Sequence, residues 1–573
     1  MKKTLSHPPT LRLGTLALAA ALATQAHAIE IDTGDADWSV RWDNTLRLST
    51  KLRTGAADPA LTESFRQIPT GAPPPAPATF SFPQALNFNA GDQNFQKRGL
   101  VSARLDVLSE FDAIWRRDFG VRLSAAGWYD DRLHRATQAD NDPTLGQTPP
   151  NAFPARTRRI AGGDGELLDA FVFGGWTLDN GMKLTARLGQ HALQYGESLF
   201  FGDNGIARAQ GPVDIDKLLA SPNAQFKEIV RPVPQLSAQL QLSPAMTLGA
   251  YVQFRWDSDR VPPAGSYFST ANIPWGSQQP EFVNIPNVGN FVLTPGTDTQ
   301  PGHGGQFGLQ LKWRLDETDL GFYAARFHDK SGQLYGNINP AGTPSPFGTL
   351  PGTWFYAFPK NVKTVGASFS RTVGDFNLAG EASLRDDMPL WSQNMIYAGG
   401  VGQPQPRPAL GRTAHLNLST LASFGPNALA QESTFVAELA WNRVLSKTDP
   451  DHSLDEGRTR DATALQFIYT PSYRQVLPGL DLNLPLGLRY VVDGNSAVTG
   501  AGWGARGTGN ATVGLEGTYL GLWQFALNYT HFIGPAVPFV DLSPLLSGGH
   551  AIYGLGNPLA DRHFVALSVR RTF

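Results

Sequence analysis

The residues Arg562-His563-Phe564-Val565-Ala566-Leu567-Ser568-Val569-Arg570-Arg571-Thr572-Phe573 close the sequence, and their alternation decides the fold. Taken every second residue, Phe573, Arg571, Val569, Leu567 and Val565 form a largely apolar set. The other parity, Thr572, Arg570, Ser568, Ala566 and Phe564, is mostly small or polar. A two-residue period puts these sets on opposite faces of a β-strand, one face for an apolar medium and one for water.

Upstream, the same pattern recurs. Trp38, Val40, Trp42, Leu46, Leu48 and Leu52 share a parity, with Ser39, Arg41, Asp43, Thr45 and Arg47 on the other. In residues 100–115, Val101, Ala103, Leu105, Val107 and Phe111 alternate with Arg104, Asp106, Glu110 and Asp112. Further alternating pairs flank short turns such as Asp179-Asn180-Gly181, Ser243-Pro244-Ala245 and Gly374-Asp375, which are hairpin signals. Counting gives about eighteen strands. Short turns follow the even strands. Long segments follow the odd ones, at 54–99, 131–166, 191–232, 258–305, 329–361, 387–412, 445–461, 493–510 and 532–562.

Composition and the N-terminal residues set the compartment. Charged residues make up 17% of the chain, below the roughly 25% usual in soluble domains. The 60 glycines and 43 prolines suit turns and long loops, and with no cysteine there is no disulfide or thiolate metal site. Lys2, Lys3 and Arg12, the apolar run 13–23 and Ala26-His27-Ala28 predict a secretory signal peptide over 1–28, cleaved after Ala28. Its removal leaves 44 basic against 49 acidic residues, formally −5, and that balance argues against a nucleic-acid partner.

Together these observations predict an all-β protein, a transmembrane antiparallel β-barrel spanning 29–573. The strand number is even, sixteen to eighteen, with short periplasmic turns and long extracellular loops. A strand of about ten residues tilted about 45° crosses the ≈25 Å apolar band of such barrels. Trp38, Trp115, Phe119, Trp176, Trp313, Phe424, Trp441 and Trp523 are expected to form an aromatic girdle at the short-turn rim. A sheet edge open to lipid leaves backbone groups unsatisfied at several kcal/mol each, so the strand around 38–52 must pair with the last one. The terminal strand also resembles the closing strand of bacterial outer-membrane barrels, whose C-terminal aromatic, here Phe573, is read by the barrel assembly machinery. Arg571 stands where that resemblance wants an apolar residue.

The segment 191–232 is the candidate for folding into the lumen, where a long inserted loop is commonly functional. Pro212 precedes a short helix expected from Asp214 to Leu219. Glu197, Asp214, Asp216, Lys217, Lys227 and Glu228 are its candidate lumen or constriction residues, expected to meet Arg104 and Arg122 on the wall.

Several motifs sharpen the resemblance. They are Asn94 to Leu105, Ala126-Gly127-Trp128-Tyr129-Asp130, Gly189-Gln190 with Tyr195-Gly196-Glu197-Ser198, Phe226-Lys227-Glu228 with Pro232-Val233-Pro234, and Gly265 to Ser269. With them the chain resembles the proteobacterial outer-membrane family catalogued as domain of unknown function 1302, with Tyr195 where that pattern has Trp. The resemblance implies traffic of a hydrophobic or lipid-like molecule across the envelope, with a periplasmic or lipid-export partner. Outer-membrane lipid and lipopolysaccharide are the expected surroundings. A diffusion porin for small polar solutes and a non-transporting surface or adhesin barrel are the alternatives.

No catalytic, cofactor or metal motif is present. Gly196-Glu197-Ser198-Leu199-Phe200 and Gly366-Ala367-Ser368-Phe369-Ser370 lack the closing glycine of a nucleophile elbow. The 11 histidines lack metal-ligand spacing, and Gly202-Asp203-Asn204-Gly205 reads as a turn rather than a calcium loop.

Overall fold

A sheet whose residues alternate between apolar and polar serves two media at once only if neither edge is left unpaired. The computed structural model describes residues 29–62, 90–138, 151–221, 226–271, 281–285, 289–339, 341–343, 350–393, 396–398, 407–449, 453–500, 503–541 and 550–573. The expected signal peptide with Ala28, and the Pro-rich stretch 71–77, lie outside them.

The wall strands are β1 (Trp38–Arg53), β2 (Gly99–Trp115), β3 (Phe119–Asp130), β4 (Gly163–Thr177), β5 (Lys183–His191) and β6 (Val233–Ser243). They continue with β7 (Met246–Gln253), β8 (Gln306–Leu315), β9 (Thr318–Phe327), β10 (Val362–Val373), β11 (Phe376–Leu390) and β12 (Ala409–Phe424). Then come β13 (Glu432–Lys447), β14 (Asp461–Leu477), β15 (Leu480–Asn483 continued by Leu486–Asp493), β16 (Gly509–Tyr519), β17 (Trp523–Ile533) and β18 (Phe564–Thr572). The main sheet contains 20 strand segments. Two of these are the halves of β15, and Ile29–Ile31 adds only a short pairing beside β1. Eighteen antiparallel walls remain, and they form a closed barrel.

Closure runs from Thr45↔Thr572 to Arg53↔Phe564, while the other side of β1 pairs with β2 from Trp38↔Trp115 to Arg53↔Gly99. The last residue completes the seam. Phe573 N–H donates to the Asn44 carbonyl at 2.8 Å, and Asn44 N–H donates to the Phe573 carbonyl at 2.7 Å. Deleting Phe573 removes both bonds and the terminal aromatic. The expected result is a marked fall in folded, membrane-inserted protein, read by heat-modifiable gel mobility; wild-type levels would overturn it.

The outer face carries exposed Leu123, Val172, Leu188, Leu248, Leu309, Phe322, Val365, Leu418, Val513, Leu527 and Leu567, the belt a hydrocarbon layer requires. At the short-turn rim Phe119 packs at a tilt against Trp115 and edge-on against Trp176, with ring centroids 5.9 and 5.5 Å apart. Arg571 lies with its guanidinium 5.0 Å from the Trp523 ring, so the charge on the apolar parity rests on an aromatic face. Trp441 does not belong to this girdle. It pairs with Leu416 and Thr463, toward the long-loop end of β13.

Walls β1, β2 and β14, of 16, 17 and 17 residues, run beyond the apolar band. Beyond them the long segments are not bare loops. Ile396–Ala398, Gln333–Ile338, Leu350–Ala357, Gly289–Pro295 and Glu281–Ile285 form a five-stranded sheet, over a core that includes Phe291, Leu293, Leu334, Trp354 and Tyr553. Their own alternation is brief, so the sequence shows only loops there.

Candidate functional site: a segment seated across the lumen

Between β5 and β6 the chain leaves the wall and crosses the barrel interior. Three tyrosines begin the seat. Tyr195 packs edge-on against Tyr251 of β7 at 5.5 Å and lies 6.2 Å from Tyr323 of β9. Gly196 follows with φ +89°, and a Cβ there would run into the Glu381 carboxylate. The same is true at Gly205. Only glycine lets the backbone come this close.

The approach serves a hydrogen-bond pattern. On β11, Glu381 accepts from Glu197 N–H at 2.7 Å, from Ile206 N–H at 3.0 Å and from the Ser198 hydroxyl. On β13, Glu438 accepts from the backbone N–H groups of Leu199, Phe200 and Phe201 with one oxygen, and from Asn417 Nδ2 at 2.7 Å with the other. Arg385 donates to the carbonyls of Asp203, Asn204 and Gly205 at 3.1, 2.8 and 2.7 Å. Asn204 Nδ2 donates to Asn417 Oδ1 at 2.7 Å, and its Oδ1 lies 2.9 Å from His415 Nδ1. Phe201 lies under the Arg489 guanidinium at 4.7 Å. Register explains the row: Glu381 faces Asn417, Ser419 faces Glu438, Glu438 faces Gln466, and Gln466 faces Arg489. One band of inward residues on five adjacent strands thus receives the whole turn.

A second anchor ties the segment to the long-loop side. Arg208 pairs with Asp203 at 2.9 Å, Asp259 at 3.0 Å and Asp329 at 2.6 Å. Lys330 Nζ donates to its carbonyl at 3.2 Å. Burial pushes the Asp203 carboxyl up to about 6 and crowding by Asp259 and Asp329 adds to this, although Arg208 opposes it. Arg208 itself is held well above its ordinary value, because the carboxylates of Asp259, Asp329 and Asp203 outweigh the effect of its burial.

The seated turn occupies the β7–β15 side. On the other side a cavity of about 1330 Å³ remains, lined by β1–β4, β16–β18 and the later part of the segment. It extends from Thr45 and Arg570, near the short-turn end, to Arg156 and Pro263 among the long segments. Of the residues expected at the constriction, Asp214, Asp216, Lys217, Lys227, Glu228 and Arg104 line this one cavity. The expected helix is Ile215–Ala220, with Asp214 as its cap accepting from Lys217 N–H. Asp214 pairs with Arg260 at 3.0 Å, and Lys217 Nζ donates to the Glu228 carbonyl.

Glu197 and Arg122 stand apart. Glu197 faces Lys312 of β8 at 3.6 Å, and burial raises its pKa against that lysine. Arg122 pairs on the wall with Glu110, Asp112 and Asp169 and does not meet the segment. Arg104 shares the cavity but gives its Nε to Asp106 at 2.7 Å. The seat residues Glu381, Asn417, Glu438 and Arg385 are absent from the sequence-derived site. For Glu381 and Glu438 the trace in the sequence is a lone acid among small or apolar neighbours, as in Ala379-Gly380-Glu381-Ala382-Ser383 and Val436-Ala437-Glu438-Leu439-Ala440.

Closed walls, a lipid-facing belt and a lumen partly filled by its own chain define a membrane-spanning β-barrel of the outer-membrane type. The chain belongs to the family described as protein of unknown function (DUF1302), whose model matches residues 10–573. A search of curated proteins gives no match. Among solved structures, Acinetobacter baumannii OccAB1 is 10% identical, with 96% of this chain and 99% of that chain covered and a TM-score of 0.39. The outer membrane protein opdK from Pseudomonas aeruginosa is 12% identical, with 93% and 98% covered and a TM-score of 0.36. Salmonella typhi OmpF, solved with daunomycin, is 7% identical, with 95% and 100% covered and a TM-score of 0.35.

Proposed function

We propose that the protein is an outer-membrane channel that passes small polar solutes along the cavity beside its seated segment. The supporting observation is the lining. Arg47, Lys51, Arg104, Arg231, Arg260 and Arg570 share the cavity with Asp106, Glu166, Asp214, Asp216, Glu228 and Glu516. A hydrophobic or lipid-like cargo, expected from the family resemblance, would displace water from charges of both signs. That penalty is several kcal/mol for each charge left uncompensated. A polar solute keeps those charges solvated.

The test is steady conductance of the purified protein in planar bilayers, at a level well below that of a barrel of this strand number with an empty lumen. Folded protein that never conducts sinks the channel reading. Lipid that co-purifies, identified by mass spectrometry, would return the cargo to the hydrophobic class.

A further inference from the structure

Lys51 and Asp216 form an unusual pair within the cavity. Both line it, and each lies in the field of the other. Among the described residues, neither the Lys51 ammonium nor the Asp216 carboxylate has a hydrogen bond, and the two do not reach ion-pair distance. Most other charges here are spoken for: Arg47 by Asp106, and Asp214 and Glu166 by Arg260, while Arg104 gives its Nε to Asp106.

Packing against one shared cluster positions the elements that carry both residues. Leu219 and Ala220, from the helix that carries Asp216, pack against a cluster containing Phe268 and Phe564. The Lys51 ammonium lies 5.8 Å from the same Phe268 ring, and Lys51 is paired along the seam with Ala566. The helix therefore reaches from its seat to the closing strands and leaves a slot with opposite charges on its two sides. Arg104 adds positive charge on the wall side, its guanidinium 5.2 Å from the Trp128 ring.

A simple anion drawn to Lys51 meets Asp216, and a simple cation drawn to Asp216 meets Lys51 and Arg104. A solute carrying both charges satisfies both sides when it aligns across the slot. We propose that this slot selects small zwitterions, with the cationic group toward Asp216 and the anionic group toward Lys51 and Arg104. The inference rests on the channel reading above.

The experiment uses block of potassium chloride current through the full-length protein by 4-aminobutyrate, butyrate and butylamine. The zwitterion should block wild type at a concentration about fivefold lower than either singly charged probe, the size of one screened contact between charges. Asp216→Asn should abolish that advantage, weakening butylamine block and leaving butyrate block as strong as in wild type or stronger. Lys51→Gln should abolish it and weaken butyrate block as well. Both side chains face the lumen, so each variant is first checked for wild-type heat-modifiable mobility. If wild type conducts and the three probes block alike, or if neither substitution moves the zwitterion, the slot is overturned and the channel stands. If folded wild type carries no current, the channel reading falls and the slot falls with it.

Discussion

Glu381→Ala should raise the conductance of the barrel several-fold without unfolding it. The carboxylate accepts from two backbone N–H groups and one hydroxyl of the seated turn, and it is buried at 3% exposure. Alanine leaves those donors facing a void. Each orphaned buried donor costs about 1–3 kcal/mol, so roughly 3–9 kcal/mol of seating is lost if the three act independently. Removing a buried charge returns part of this, but the donors it served stay in place, and breaking such an arrangement is far costlier than never building it. Glu438 and Arg385 still hold the turn. The single variant should therefore flicker between seated and open levels, and Glu381→Ala with Glu438→Ala should stay open. Glu381→Gln retains one acceptor oxygen and should fall between wild type and alanine. The measurement is single-channel conductance, with protease sensitivity of residues 195–210 as a second reading. A folded double variant with wild-type conductance and wild-type protection would show that the seat does not govern the lumen.

That prediction depends on contacts the sequence did not reveal, for a physical reason. Strand parity was legible because a two-residue period is a local property, and one slip would turn every Leu of a wall to the wrong side. All eighteen walls could be placed in this way. Parity also assigns Glu110, Arg122, Glu381 and Glu438 alike to the lumen, and it says nothing about what each will meet. Arg122 finds its partners within the adjacent strands, at part-exposed sites, where such pairs are worth about 1 kcal/mol or less. Glu381 finds its own partners 175 to 184 residues away in sequence. Nothing in its flanking residues encodes that distance. The short helix at Ile215–Ala220 was legible because Pro212 and the Asp214 cap are local signals. Its approach to Lys51 at the seam was not.

Asp92→Ala should be among the most destabilising single substitutions in the barrel. At the long-loop end of the seam, Asp92 takes Arg53 at 2.8 Å and Arg562 at 3.0 Å, and all three side chains have 0% exposure. Arg53 also pairs with Asp561 at 2.7 Å and donates to the Phe95 carbonyl at 2.9 Å. Arg562 donates to the carbonyls of Tyr267 and Ser269. One carboxylate thus ties the end of β1, the approach to β18 and two long segments together. Two arginines against two aspartates are formally neutral, and alanine at 92 leaves one excess positive charge in a dry site. Breaking a buried pair in this way costs about 3–5 kcal/mol. The pH dependence has a definite sign. Burial raises the Asp92 carboxyl, but Arg562 and Arg53 overcome it and hold the pKa below its ordinary value. Its stabilisation is therefore present above the unfolded value of about 3.9 and lost only as pH falls through the lower folded value. Asp561, pushed up to about 6 by burial and then by Asp92, acts in the opposite sense, and its contribution fades as pH rises through about 6. Asp92→Ala removes the like charge from Asp561, so the variant should lose stability at every pH above about 4 and show a weaker decline between about 4 and 6. Urea unfolding in liposomes, with Arg122→Ala as the part-exposed control, measures both effects. If the two variants unfold at the same urea concentration, the knot is not what holds the seam.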